Sequence, residues 1–238
     1  MSVFDFIGPI MVGPSSSHTA GALVLARVAM NLLGKVPEKA EVIFPRKGSF
    51  ATSFRGHGSD KAIIAGFLGY YSNDSRIKDS KIVAKERNLQ VQFLIKDFPE
   101  SVHPNTIKFH LYWQDKEVEM VGVSIGGGRI QVIEVLGFPI DYDGTKDVIT
   151  VYAEDYIGLY VNVLRVISES HIAIYRSNVS YIEKIDEFAD ESNRSYLNIE
   201  LKSGFNVTDS LIDQIKAVQG VIGVRFIPKL KSAEDFAL

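Results

Sequence analysis

Residues 147–182 read DVITVYAEDYIGLYVNVLRVISESHIAIYRSNVSYI, and the order of elements that begins here decides the fold class of the carboxy-terminal part. The β-branched and aromatic run DVITVYA is a strand, GLYVNVLRVISES has helical spacing of its apolar residues, and IAIYRSNVSYI is a second strand. Beyond it follow the strand SYLNIELK, the helix SLIDQIKAVQ and the strand GVIGVRFIP. This βαββαβ order over roughly 80 residues is the split-βαβ, ferredoxin-like arrangement. The loop Ala153–Leu159 joins the first strand to its helix, where it either presents amides to a small effector or merely turns the chain. The acidic run with Glu183, Asp186, Glu187, Asp190 and Glu191 reads first as a solvated loop and second as a cation or partner contact.

Towards the amino terminus the grammar changes. In ALVLARVAMNLLG the residues Leu23, Ala26, Met30 and Leu33 recur at helical spacing, and Gly34 sits where a left-handed cap belongs. That predicts a helix over about Ala20 to Leu33. A second helix is expected across AIIAGFLGYY, entered through Ser59 and Asp60 as acceptors for orphan amides, with two interior glycines that suggest close packing. Strands are expected at AEVIF, VQFLIK, IKFHLYW, VEMVGVSI and RIQVIEVLG, several alternating at period two as half-buried antiparallel strands do. The turn chemistry of DYDGTKD ends this α+β part near Asp143-Gly144. The expected organisation is a first domain over 1–144, a second over 147–229, and a frayed tail over 230–238.

Composition narrows the chemistry. The 238 residues carry a formal charge of −3, which argues against recognition of nucleic acid through an overall basic field. MSVFDFIGPI lacks the basic start and apolar run of a signal peptide, and Arg27 interrupts the most apolar helix, so no membrane span and a cytoplasmic location are expected. There are 0 cysteines, which excludes disulfides, thiolate zinc sites, a nucleophilic cysteine and a thiolate-held iron–sulfur cluster within this chain.

Two segments stand out chemically. Gly13-Pro14-Ser15-Ser16-Ser17-His18-Thr19 places four hydroxyls and an imidazole on a glycine–proline turn just before the first helix. It reads either as a serine-rich N-cap or as an anion site at the positive end of a helix dipole. In GSFATSFRGHGSDKA, His57 lies between Gly56 and Gly58 ahead of the second helix, so a glycine-rich, histidine-bearing loop feeds a helix start for a second time. His103-Pro104-Asn105-Thr106 satisfies an Asn-type turn. Ser124-Ile125-Gly126-Gly127-Gly128-Arg129 lies between strands and lacks the spacing of a dinucleotide fingerprint, so it reads as a tight glycine turn or bulge.

GPSSSHT, GHGSDKA, HPNT and SIGGGRI, in this order and followed by a βαββαβ module, resemble the β subunit of iron–sulfur-dependent L-serine dehydratases over nearly the whole chain. The resemblance implies an α+β fold: an amino-terminal serine dehydratase β-chain domain of the allosteric substrate-binding type, followed by a ferredoxin-like ACT domain. It implies conversion of L-serine to pyruvate and ammonia by an L-serine ammonia-lyase active only with a separate α subunit. That α subunit would hold a four-iron, four-sulfur cluster through its own cysteines, and dimer contacts would run through the ACT domain.

Carried over motif by motif, the resemblance implies substrate or effector binding by Ser15, Ser16, Ser17, Thr19 and Asp60, and proton transfer by His57 and His18. Of the two histidines, His57 is the stronger candidate on a glycine-flanked loop free to reach out. Ser59 stands where the family more often has threonine. Of the ACT effector loop only Asp155 and Gly158 match. The alternative reading is a non-catalytic, amino-acid-sensing regulatory protein, whose helix-start anion site would serve equally well.

Overall fold

The computed structural model describes residues 11–99, 102–154, 156–182 and 194–230. The amino-terminal ten residues, Asp155 and the acidic run from Glu183 to Glu191 lie outside the described residues. The chain divides into two compact units, one running to Gly137 with Asp141–Asp143, the other comprising Phe138–Ile140 and Gly144–Leu230.

In the first unit, a π-helical turn at Ser16–Gly21 runs without a break into α1 (Ala22–Leu33). β1 (Lys39–Pro45), α2 (Ser49–Ser53) and α3 (Ser59–Phe67) follow. A 3-10 turn at Ser75–Asp79 leads to α4 (Ser80–Glu86) and β2 (Gln90–Lys96), then to β3 (Thr106–Trp113), β4 (Lys116–Gly126), β5 (Arg129–Val135) and β6 (Phe138–Tyr142), of which Asp141 and Tyr142 fall in this unit. The strand order is β2-β1-β3-β4-β5-β6. β3, β4 and β5 form the expected antiparallel ladder, but β1 and β2 run parallel. Parallel pairing requires a crossover, and here α2, α3 and α4 supply it. Both α2 and α4 are too short to show a periodicity of their own.

Gly34 closes α1 in the left-handed conformation at φ 80°, its amide bonded to the carbonyls of Met30 and Asn31. Burial of α1 is wider than a single stripe. Leu23, Ala26 and Leu33 are buried as expected, yet Leu25, Val28, Ala29 and Leu32 are buried too, while Met30 is only half-buried. The helix packs against α3 on one side and β3 and β4 on another, so it has two apolar faces rather than one. Close approach on both sides depends on glycine. A Cβ on Gly66 would lie 2.4 Å from the Leu23 carbonyl oxygen, and one on Gly122 would lie 2.4 Å from Leu25 Cδ2.

The second expected helix is shorter than its apolar run: α3 ends at Phe67, and Gly69 follows at φ 82°. Its entry also differs. Gly58 occupies the N-cap at φ 69°, Asp60 Oδ1 accepts from Lys61 N–H at 2.8 Å, and Ser59 Oγ is buried with no hydrogen-bond partner. The glycine run between β4 and β5 is a turn with Gly127 and Gly128 at φ 61° and 75°, preceded by a register shift between Ser124 and Gly126.

The second unit runs β7 (Val148–Glu154), α5 (Leu159–Glu169), β8 (Ile174–Ile182), β9 (Arg194–Leu201), α6 (Asp209–Lys216) and β10 (Val221–Ile227). Its sheet order is β10-β7-β9-β8, antiparallel throughout. Leu159, Val163 and Ile167 of α5 and Leu211 and Ile215 of α6 pack with Ile149, Val151, Leu197 and Ile199, so both helices cover the same sheet face. Thr208 caps α6, accepting from Leu211 N–H, and Gly158 begins α5 at φ 94°. Beyond Pro228 the chain is held for two more residues, by Lys229 N–H to Asp147 Oδ1 and Leu230 N–H to the Gly144 carbonyl, both at 2.8 Å. No helix among the described residues is long and apolar enough to cross a membrane.

Candidate functional site

The serine-rich turn does part of what a cap does. Ser15 is extended, its Oγ accepts the His18 amide at 3.1 Å, and its carbonyl accepts the Thr19 amide at 2.9 Å. Nor is the Ser17 hydroxyl filler. His18 Nδ1 lies 3.1 Å from Ser17 Oγ and 3.5 Å from Ser15 Oγ, and its Nε2 lies 3.1 Å from Ser49 Oγ. Ser16 is half-buried on the same turn. The π-helical geometry of this segment inserts an extra residue per turn, a device that recurs at functional sites.

Ser49 is delivered by α2. Phe50 anchors that short helix in the core, its ring 5.3 Å from Phe44 and 4.7 Å from the His18 ring. Gly48 permits the approach: a Cβ there would lie 2.9 Å from the Pro104 carbonyl oxygen, to which Ser49 N–H donates at 2.9 Å. Ser49 Oγ also donates to Asn105 Oδ1 and reaches the Pro104 carbonyl at 3.3 Å. Asn105 Nδ2 donates to the Ser124 carbonyl at 3.2 Å, and Ser124 Oγ donates to the Ser17 carbonyl at 2.8 Å. Gly21 presses on the same serine, since a Cβ there would meet Ser124 Oγ at 2.0 Å.

All four motifs are therefore linked around one imidazole, HPNT through Ser49 and SIGGGRI through the Ser17 carbonyl. His57 comes within 5.0 Å of His18, ring centre to ring centre, and its side chain is exposed. Its loop is not free to reach out as the flanking glycines suggested. His57 N–H donates to the Ser53 carbonyl at 2.9 Å, and its own carbonyl accepts from Thr19 Oγ1 at 3.0 Å. Thr19 is 2% exposed, so its hydroxyl is a tie between two motifs rather than an open binding group. Asp60 is likewise engaged, with Lys81 on Oδ2 and Lys61 N–H on Oδ1. Burial, and then the neighbouring His57, holds the His18 imidazolium below the ordinary histidine value, so the ring is neutral near pH 7.

Asn105, Ser124 and Ser49 are the residues that sequence reading left outside the site. Asn105 and Ser124 satisfied turn chemistry by themselves, and Ser49 carried no signal that set it apart from Ser53. Of the effector loop, Gly158 lies at the start of α5, where Asn162 Nδ2 reaches Tyr156 Oη at 3.3 Å. Asp155 is outside the described residues.

The site's donor set is hydroxyls, amides and imidazoles. The chain has 0 cysteines, and among the described residues no group of three or more His, Asp or Glu could hold a metal ion. This chain's residues thus do not fit a thiolate-held cluster.

Residues 2–134 match the sequence model of the family described as serine dehydratase beta chain. Over 223 residues the chain is 38% identical to the probable L-serine dehydratase, beta chain, of Bacillus subtilis (strain 168), covering 94% of this chain and 96% of that one. It is 38% identical over 174 residues to the L-serine dehydratase, beta chain, of Peptoniphilus asaccharolyticus, covering 72% and 78% of the two chains. Similarity at 27% over 198 residues extends to L-serine dehydratase TdcG of Escherichia coli (strain K12), covering 71% of this chain but 43% of that longer protein.

Proposed function

The chain belongs to the serine dehydratase β-chain family, and on that premise we propose that it works with a separate α chain to deaminate L-serine to pyruvate and ammonia. The observation that carries this reading is the linkage of four separated motifs around His18, whose two ring nitrogens each lie 3.1 Å from a serine hydroxyl. The reaction removes a proton from Cα and the hydroxyl from Cβ of serine, giving aminoacrylate, which hydrolyses to the products. A neutral, hydrogen-bonded imidazole is suited to take the Cα proton. The Ser15 and Ser16 hydroxyls, at the positive end of the helix dipole, suit the substrate carboxylate.

A second chain is required by this reading. The four-iron, four-sulfur cluster implied by the sequence resemblance needs thiolates, and this chain has 0 cysteines. The match to 43% of a longer protein named L-serine dehydratase supports the same division, because the rest of that protein has no counterpart in the matched stretch. Exposed His57 is placed by this reading at the surface that meets the α chain.

The βαββαβ unit is proposed to be an ACT domain, a reading supported by the sheet order β10-β7-β9-β8 with both helices on one face. Its role would be regulatory, with dimer contacts through the same unit. Anaerobic co-expression with the α chain tests the enzymatic reading. The complex should be brown and deaminate L-serine, while the purified β chain should be colourless and inactive. Turnover by the β chain alone would overturn the proposal.

A further inference from the structure

We infer that Ser49 and Asn105 are positioning residues that hold His18 as its Nε2–H tautomer, leaving the Nδ1 lone pair on the side of Ser15 and Ser17. The assignment follows from counting donors and acceptors along one chain of hydrogen bonds. The Ser124 carbonyl can only accept, so the end of Asn105 that meets it at 3.2 Å is the amide nitrogen. The oxygen end therefore faces Ser49, and an amide oxygen can only accept. The other neighbour of Ser49 Oγ, the Pro104 carbonyl at 3.3 Å, is also only an acceptor. The single hydrogen of Ser49 is thus committed away from His18. Its oxygen has only lone pairs to offer Nε2 at 3.1 Å, so Nε2 carries the hydrogen. In a neutral ring Nδ1 is then the acceptor, and Ser17 Oγ at 3.1 Å is placed to donate to it.

What this means for catalysis rests on the reading of His18 as a proton-transfer group. On that reading Nδ1 is the atom that takes the proton, so the substrate Cα–H must approach from the Ser15 and Ser17 side. A proton arriving there turns the ring into an imidazolium whose Nε2–H already has its acceptor, Ser49 Oγ, in place. On the Nε2 side no group has to reorient as the charge develops; at Nδ1 only the Ser17 hydroxyl has to turn its hydrogen away. Neither Ser49 nor Asn105 need touch substrate.

The test is long-range nitrogen–proton correlation NMR on the full chain labelled at its histidine nitrogens, with the His18 signals identified by their loss in His18→Gln. The expected spectrum shows His18 as one population protonated at Nε2, with a slowly exchanging Nε2–H proton. That proton resonance should be lost in Ser49→Ala and retained in Ser49→Thr, which keeps the hydroxyl. Asn105→Ala should weaken it. Protonation at Nδ1 in the native chain, or an unchanged Nε2–H resonance in Ser49→Ala, would overturn the inference. In the reconstituted α–β enzyme, Ser49→Ala should lower kcat by about tenfold or more at nearly constant KM, with Ser49→Thr restoring it. Normal turnover in Ser49→Ala beside the expected NMR change would leave the tautomer assignment supported and overturn the role of Ser49 as a positioning residue in turnover.

Discussion

Thr19 Oγ1 donates to the main-chain carbonyl of His57 at 3.0 Å, tying the serine-rich turn to the glycine-flanked loop. Thr19 is 2% exposed, so Thr19→Val keeps its shape and leaves that carbonyl without its side-chain donor. Urea denaturation should show a loss of about 1 kcal/mol, the usual net worth of such a bond. The reconstituted enzyme should lose more in kcat than in KM, because the two histidines would no longer be held in register. Equal turnover for Thr19→Val and the native chain would show that His57 needs no such tie.

Packing makes two glycines sensitive to the smallest side chain. Gly66→Ala would drive a methyl to 2.4 Å from the Leu23 carbonyl, a backbone atom on α1 that cannot rotate away. A loss of about 1–3 kcal/mol is expected in denaturant titration. Gly21→Ala meets Ser124 Oγ at 2.0 Å and Ser124 Cβ at 2.9 Å, so turning the hydroxyl away from the Ser17 carbonyl does not by itself make room. Its stability loss should be comparable, and its effect on activity larger than that of Gly66→Ala.

The depressed proton affinity of His18 sets a pH dependence. Desolvation by burial, then the neighbouring His57, lowers its folded value below the ordinary one of 6.5, so between the two values the unfolded chain binds the proton and the folded chain does not. Stability from this group is therefore full above the ordinary value and declines as the pH falls through it towards the lower folded value. His18→Gln should flatten that part of the curve of unfolding free energy against pH. A slope unchanged by the substitution would assign it to other groups.

Asp60 separates structural from binding roles. Its oxygens are engaged by Lys81 and by the Lys61 amide in the first turn of α3. Asp60→Asn should cost about 1 kcal/mol of stability through the lost ion pair and first-turn charge. KM for serine should stay within about twofold of the native value. A large rise in KM at unchanged stability would instead return Asp60 to the substrate.

Much of this was legible from the residues. The βαββαβ order is visible because each strand and amphipathic helix is long enough to show its own period. Gly34 announces the end of α1 because only a glycine settles easily at φ 80°. The two histidine motifs stand out by the density of hydroxyls and glycines. Asn105 and Ser124 do not, because what brings them together is strand register. Thr106 pairs with Val123, which sets Asn105 beside Ser124, and register depends on the whole sheet rather than on either local segment. The parallel β1–β2 pair was hidden for a related reason: the crossover helices α2 and α4 have 5 and 7 residues, too few for a periodic signal. Burial of α1 on two sides was likewise a property of its neighbours.

On the function proposed above, His18 moves the proton in serine deamination by the α–β enzyme. Steady-state turnover of anaerobically reconstituted enzyme carrying His18→Asn, with iron content and α–β association matched to the native complex, addresses it. A fall in kcat of at least about a hundredfold at little-changed KM is expected for loss of a general base. Turnover near the native rate from that matched complex would contradict it.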